Sequence, residues 1–352
     1  MKKDVKVLMI GAGRDVQGGV STVVNQYYEC GLDNKVNLTY LPTVEDGSKL
    51  KKLIIAIKSI ISFRKYASKY DVVHVHMASR ASFHRKSIFI KYAKKINKRI
   101  IIHMHGAEFD IFYENECNAK AKEKIKSIFS LADKVVVLSE EWKEFFSKIC
   151  NKEKIMVLYN AVKITDYYRN DYIDKNILFL GRLGKRKGTY DILEAIPKVI
   201  KEVEDVHFYF AGDGELDRCR QICEEKGIAS YVTFLGWIKG EKKDEYLKKC
   251  STYLLPSYNE GMPMSVLEAM SYGNIVIASD IGGISKIIQD GENGYLIRPG
   301  DVDGISDRLI STLKDINRSE IGNEAYNTIS NKFNLYNNID ILTNLYLEVA
   351  NK

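Results

Sequence analysis

Proline is scarce in this 352-residue sequence, with five in all, and no low-complexity tract interrupts it. With 45% apolar and 28% charged residues, such a chain is an ordered globular protein, not a linker-rich or disordered one. Long apolar runs are missing too. The most extended, "LIIAI" (53–57) and "IIIHMHGA" (100–107), stop far short of the roughly 18–20 residues that cross a bilayer. The amino terminus "MKKDVKVLMIGAG" has a brief apolar run ending in a glycine turn, with no cleavage-like segment. We read a first strand there and expect a cytoplasmic protein. The six cysteines, at 30, 117, 150, 219, 223 and 250, form no CxxC pair. Cys219 and Cys223 share a helix face but lack the further ligands a zinc site requires, so reduced thiols are expected.

Acid is locally absent. From Lys49 to Arg99 there are fifteen basic residues and one acid, Asp71. Residues 1–160 hold 29 Lys and Arg against 17 Asp and Glu, a net +12, while the remaining 192 residues are net −5. A half-molecule this basic is drawn to an anionic surface. Single cores stop growing at about 250–300 residues, so two domains are expected.

What is present is a repeating alternation. Strand-like runs "VKVLMI", "YDVVHVHM", "RIIIHMH", "KVVVL" and "IMVLY" are followed by "NILFLG", "VHFYFAG", "YVTFLG", "TYLLP", "NIVIAS" and "GYLIR", with helix-length segments between. Continuous apolar runs of this kind are parallel strands covered on both faces, which gives doubly wound α/β architecture twice. The seam falls in "KITDYYRNDYIDKN" (163–176). We place one domain at 1–165, a second at 172–335, and a C-terminal helix at 336–352 packing back on the first. Parallel sheets bind ligands at the carboxyl ends of their strands, so the loops there carry the candidate chemistry.

The first such loop, "MIGAGRDVQGGVSTVV", fails the dinucleotide fingerprint because Val16 takes the third glycine's place. Gly18 and Gly19 directly precede a helix, where free N–H groups suit a phosphate; a plain tight turn is the alternative. In "LFLGRLGKRKGTYDILEAI", Arg182 and Lys187 bracket a short loop able to curl onto one anion, against the alternative of a solvated basic turn. Gly212 and Gly214 in "FAGDGEL", and Trp237 and Ile238 in "FLGWI", are strand-end turns suited to a nucleotide, whose base edge main-chain groups can read.

"SYNEGMPMSVLEAMSYG" (257–273) holds two acids eight positions apart. We expect the helix to start near Met262 or Pro263, with Glu260 beside Gly261 at its mouth. Glu268 then lies about 9 Å farther along at 1.5 Å per residue. Acids so separated do not share a proton, but they can grip two ends of a polyhydroxylated ligand. The alternative leaves Glu260 as a dipole partner and Glu268 as a solvated helix residue. His74/His76 and His103/His105 are alternate residues on two strands; we read adjacent strands ending at a ligand site, not a metal centre. In "GDVDG", Asp301 is read as an N-cap.

Arg182, Lys187 and the Glu260/Glu268 pair, in this order, together with "GRLGKRKG", "EGMPMSVLEAMSYG", "HMHG" and "GGISKIIQDGENGYLIRPGDVDG", resemble the signature of the retaining GT-B glycosyltransferases of family 4. The resemblance covers essentially the whole chain. It implies two Rossmann-like domains facing across a cleft and transfer of a sugar from a nucleotide-sugar donor, without metal or other cofactor. Arg182 and Lys187 would hold the donor diphosphate, Glu260 the sugar hydroxyls and Glu268 the ribose. Gly19 would approach the phosphates from the opposite domain, and His105 would assist the sugar. Gly18, Gly212, Gly214, Trp237, Ile238, Gly261, Met262 and Pro263 complete the expected nucleotide-sugar pocket.

The segment 49–70 reads as an amphipathic helix whose lysines flank Leu53, Ile54, Ile57, Ile60 and Ile61, or else as an ordinary core helix. The first reading fits a peripheral protein at the inner membrane face and a lipid-linked acceptor in bacterial surface polysaccharide synthesis. No nucleic-acid reader motif accompanies the basic face, so nucleic acid is not expected. A nucleotide-sugar epimerase of the same fold and a noncatalytic nucleotide-sugar-binding protein are the alternatives.

Overall fold

The computed structural model describes residues 3–167 and 169–352. Met1, Lys2 and Tyr168, on which parts of the N-terminal and seam readings fall, lie outside the described residues. The chain forms two compact units, one of residues 1–163 with 335–352 and the other of residues 164–334.

Unit 1 is built on six parallel strands, β1 (Lys3–Gly11), β2 (Val36–Pro42), β3 (Val72–Met77), β4 (Arg99–Met104), β5 (Lys134–Val137) and β6 (Ile155–Val157), in the order β2-β1-β3-β4-β5-β6. Every residue of β3 is buried, as expected of a strand covered on both faces. Phe63, Phe83, Phe89, Phe109, Phe129 and Phe146 pack with Val73, Val75, Ile100 and Ile102 in one continuous core. The helix Leu335–Ala350 buries Leu335, Ile339, Leu342, Tyr346 and Val349 and lies against β1, β3 and the helix Gly19–Glu29. The strand β2 has no counterpart in the sequence reading. It is an edge strand whose side chains are mostly half-buried, so it lacks the solid apolar run that marks the others.

Unit 2 repeats the plan with β7 (Asn176–Leu180), β8 (His207–Ala211), β9 (Val232–Gly236), β10 (Thr252–Leu255), β11 (Ile275–Ser279) and β12 (Tyr295–Ile297), in the order β12-β11-β10-β7-β8-β9. The chain moves outward from β7 to β9, then returns to the other side of β7 as β10. That reversal is a topological switch point, where the loops leaving two neighbouring strands diverge and open a crevice. In unit 1 the same reversal falls between β1 and β3.

The segment before β7 belongs to unit 2. The buried Arg169 guanidinium donates from Nη2 to the carbonyls of Leu247, Lys248 and Cys250 at 2.8–2.9 Å. The division therefore falls at Lys163/Ile164, close to the expected seam. All six cysteines are free. Asp301 caps the helix Val302–Lys314, its Oδ1 accepting from Gly304 N at 2.8 Å.

Gly188 sets the turn at the mouth of the unit 2 crevice. It follows the 3-10 turn Lys185–Lys187, has φ +68°, and a Cβ there would lie 2.0 Å from Pro256 O. Both the left-handed backbone and the close approach of the β10 loop demand glycine. Gly188→Ala is expected to destabilise the protein by about 3 kcal/mol or more, at the upper end of single-residue effects. Urea unfolding checks this, and a loss under about 1 kcal/mol would show that the two loops are not in contact.

Candidate active site

At the unit 2 switch point the loops after β7 and β10 are tied together by their own side chains. Lys187 donates from Nζ to Glu260 Oε1, and Ser257 Oγ donates to the same oxygen at 2.8 Å. The side chains of Lys187 and Glu260 are 14% and 8% exposed, so the pair sits in a partly dry recess where its attraction is weakly screened. Tyr258 N donates to Arg186 O at 2.9 Å and Arg186 Nη1 to Asn259 O at 3.2 Å, cross-linking the loops a second time. Arg182 leaves the end of β7 exposed, with no hydrogen bond or ion pair to any described residue. One cation is therefore held in place and the other is free to meet an anion.

The helix after Glu260 runs Met264–Ser271, with Pro263 as its N-cap residue, so the expected start at Met262 or Pro263 is corrected by one to two residues. Proline at φ −72° and ψ 122° stands just outside the helix and ends the extended loop. Glu268 is 8% exposed and pairs with Lys243 Nζ at 2.7 Å, which removes the solvated-helix alternative. Lys243 belongs to the helix Glu241–Lys249 that follows the Trp237 loop, so Glu268 faces that loop while Glu260 faces Lys187. The two acids therefore serve opposite ends of the crevice.

The remaining expected residues fall on the neighbouring loops of unit 2. Trp237 is 42% exposed and Ile238 is buried at the end of β9. Cβ atoms at Gly212 and Gly214 would meet Gly181 O and Leu183 O at 1.8 and 2.3 Å, so these glycines let neighbouring loops touch. Gly261, Met262 and Pro263 are buried, and Gly261 O accepts from Gly283 N at 2.6 Å.

In unit 1, Gly18 (φ +144°) and Gly19 open the helix Gly19–Glu29, and nothing lies within 4 Å of a Cβ built on either. Side-chain space at the helix start is thus open, while Ser21 in the first turn is buried. His105, just past β4, bonds through Nε2 to His76 Nδ1 at 2.7 Å. Behind it, His74 Nε2 meets His103 Nδ1 at 3.2 Å, and His74 Nδ1 meets the Tyr346 hydroxyl at 2.6 Å. Burial pushes His74 and His105 down to about 3, and His76 and His103 well below the ordinary value, with the neighbouring rings and Lys86 adding to the effect.

Among the described residues, His74, His76 and His103 are the group whose nitrogens, within 4.8 Å of one another, are close enough to hold an ion. Their rings are stacked with interplanar angles of 10–27°. A separate cavity of about 770 Å³ at the ends of β1 and β2 is lined by Arg14, Tyr28, Tyr40, Glu45, Asp46 and Lys51, among others.

Ser257, Lys243 and this cavity have no place in the sequence reading. Lys243 lies 25 residues from Glu268, where no local spacing signals it, and Ser257, three residues from Glu260, looks like any loop serine.

Comparisons with known proteins bear on the family and the fold. Residues 19–166 match the model described as Glycosyltransferase Family 4, and residues 169–328 match that of Glycosyl transferases group 1. The chain belongs to this glycosyltransferase family and has its GT-B fold of two Rossmann-like units. It is 28% identical to the UDP-Gal:alpha-D-GlcNAc-diphosphoundecaprenol alpha-1,3-galactosyltransferase of Escherichia coli, over 91% of this chain and 86% of that protein. It is also 28% identical to an uncharacterized 41.2 kDa protein in the cps region of Klebsiella pneumoniae, over 82% and 85%. Among solved structures, sucrose-phosphate synthase from Thermosynechococcus elongatus superposes with TM-score 0.79 at 19% identity, covering 98% of both chains. Anabaena Alr3699/HepE in complex with UDP and glucose gives 0.77 at 16%, covering 98% and 99%.

The neutral histidines make unit 1 acid-sensitive. Unfolded imidazoles take up a proton near their ordinary value of 6.5, whereas the folded ones resist it. The stabilisation is complete above pH 6.5 and is lost as pH falls toward 3. Between pH 7 and pH 5 each buried imidazole is expected to remove up to about 2 kcal/mol, and His103→Asn to flatten the dependence. Urea unfolding at the two pH values checks this, and a flat wild-type profile contradicts it.

Proposed function

We propose that this chain is a retaining, metal-independent glycosyltransferase that moves a sugar from a nucleotide-sugar donor to a lipid-linked glycan acceptor in bacterial surface polysaccharide synthesis. The observation that carries this reading is the switch-point crevice of unit 2, with Lys187 fixed by Glu260 and Arg182 free beside it. The donor's diphosphate takes the two cations, Glu260 and its loop take the sugar, and Glu268 takes the ribose below Trp237. A UDP-sugar is favoured over a GDP-sugar because the Escherichia coli relative is named for a UDP-sugar and the Anabaena structure holds UDP. The acceptor class rests on the diphosphoundecaprenol in that relative's name, and the polysaccharide setting on the cps region of the Klebsiella protein.

In the reaction the bond from the anomeric carbon to the phosphate oxygen breaks, and its electron pair leaves with the diphosphate. Cations placed where this charge develops lower the barrier without a metal. Retention by double inversion would need a carboxylate nucleophile at the anomeric carbon. Glu260 is engaged by Lys187 and Ser257, so the acceptor hydroxyl attacks on the face the diphosphate leaves and its proton passes to a departing phosphate oxygen. His105, neutral, steadies the sugar by hydrogen bonding. Lys187→Ala is expected to lower transfer or donor hydrolysis by about 10²–10³-fold with the fold intact, and EDTA to leave the wild type unaffected. Conversion of the donor sugar without acceptor would instead mark an epimerase, and tight nucleotide binding without turnover a binding protein.

The acceptor's lipid is met by the helix Lys49–Tyr66, which is followed by a 3-10 turn to Lys69. Its buried residues are Ser59 and Phe63, with Ile60 half-buried beside them. Leu50, Leu53, Ile54, Ile57 and Ile61 lie 42–67% exposed. At about 100° per residue these five form one stripe opposite Ser59 and Phe63, flanked by Lys51, Lys58 and Lys65. An apolar stripe edged with cations suits an anionic bilayer surface, at about 1 kcal/mol per basic side chain. Lys51 also lines the 770 Å³ cavity, which in this reading takes the acceptor's polar head. No helix among the described residues is long and apolar enough to cross a membrane, so attachment is peripheral in this reading. Replacing Leu53, Ile57 and Ile61 together with serine is expected to abolish flotation with phosphatidylglycerol vesicles while leaving the melting temperature unchanged. Wild-type flotation equal on neutral and anionic vesicles would refute surface attachment.

A further inference from the structure

Unit 1 contains a buried cation that nothing in the structure balances. Lys86, in the second turn of the helix Ala81–Lys95, is 2% exposed, with no hydrogen bond or ion pair to any described residue. Arg85, the next cation, is half-buried. Its Nε reaches Thr43 Oγ1 at 3.4 Å, a hydroxyl already donated to Gly11 O, and no carboxylate meets its guanidinium. Acids close in sequence to these segments have other partners: Glu108 and Glu116 hold Arg80, Glu45 pairs with Lys51 at 3.6 Å, and Asp46 accepts from Gln17 N at 3.2 Å. A charge without a counter-ion is costly away from water, so burial, with Arg85 adding to it, pushes Lys86 down to about 7, and a bound anion would favour its charged form.

The third group is His105. Lys86 is close enough for its charge to act on His105 and His76. His76 Nε2 is buried without a partner, and a buried N–H left without an acceptor is rarer than an unused lone pair. The hydrogen of His76 therefore sits on Nδ1 and is donated to His105 Nε2, which leaves His105 carrying its own hydrogen on Nδ1. His105 is thus a donor, like Lys86 and Arg85. The cluster follows β3 and β4, beside the switch point of unit 1.

We propose that Lys86 and Arg85, with the Nδ1–H of His105, form a receptor in unit 1 for a phosphate-class oxyanion, separate from the Arg182/Lys187 pair of unit 2. Three donors with no acceptor among them select an anion over a neutral hydroxyl group. Two sources carry that chemistry, the donor's nucleoside diphosphate and the diphosphate of a lipid-linked acceptor. The site stands whether or not the transfer reaction proposed above is correct.

The test is calorimetric titration of the full chain with inorganic pyrophosphate. In a Lys187→Ala background, which removes the fixed cation of unit 2 and leaves Arg182, pyrophosphate binding is expected to persist. Adding Lys86→Met should weaken it at least tenfold, and adding Lys86→Arg instead should preserve it. Lys86→Met alone is expected to raise the melting temperature of the ligand-free protein, because an unbalanced buried charge is removed; a purely structural lysine would lower it. Competition in the Lys187→Ala background separates the sources: displacement by UDP indicates the nucleotide, and displacement by farnesyl diphosphate the lipid carrier. Equal pyrophosphate affinity in Lys187→Ala with and without Lys86→Met, both folded by circular dichroism, would overturn the proposal.

Discussion

The bond from the Lys187 ammonium to the Glu260 carboxylate ties together the two loops at the switch point of unit 2. It joins the loops that leave β7 and β10 in opposite directions, where a parallel sheet otherwise leaves an open crevice. Without it the cation would be one more mobile surface lysine, costly to order around a ligand. With Ser257 on the same oxygen and Gly188 permitting the turn against Pro256, the ammonium is fixed before any substrate arrives. That is the condition under which a charge stabilises a transition state more than a ground state.

Both units hold paired charge beside cations that no described residue pairs, Arg182 in unit 2 and Lys86 in unit 1. In unit 2 both expected acids have basic partners, Glu260 with Lys187 and Glu268 with Lys243. In unit 1 positive charge is left unmatched, at the surface along the helix Lys49–Tyr66 and in the interior at Lys86. The histidines behind Lys86 do not supply a counter-charge, because burial keeps them neutral.

Much of this was legible in the residues and some could not be. Buried parallel strands announce themselves as solid apolar runs, so both sheets could be read except β2, whose edge position leaves it half-exposed. Arg182, Lys187, Glu260 and Glu268 stand out because strand-end loops and short spacings mark them. Their partners do not, since Ser257 looks like any loop serine and Lys243 any helix lysine until the sheet order places them. The stripe from Leu50 to Ile61 was visible as a pattern, but periodicity is the same whether a helix turns that face inward or outward. Only the packing of Ser59 and Phe63 decides the matter. Pro263 signals a helix start in either the cap or the first-turn position, which accounts for the misplaced boundary.

The central claim is that the fixed and free cations of the β7 loop receive the diphosphate of a nucleotide. A crystal structure of the full chain with bound UDP tests it most directly. The account predicts diphosphate oxygens within about 3 Å of Lys187 Nζ and the Arg182 guanidinium, with the ribose hydroxyls on Glu268. A diphosphate bound elsewhere, with Arg182 still in solvent and Lys187 engaged by Glu260 alone, would contradict it.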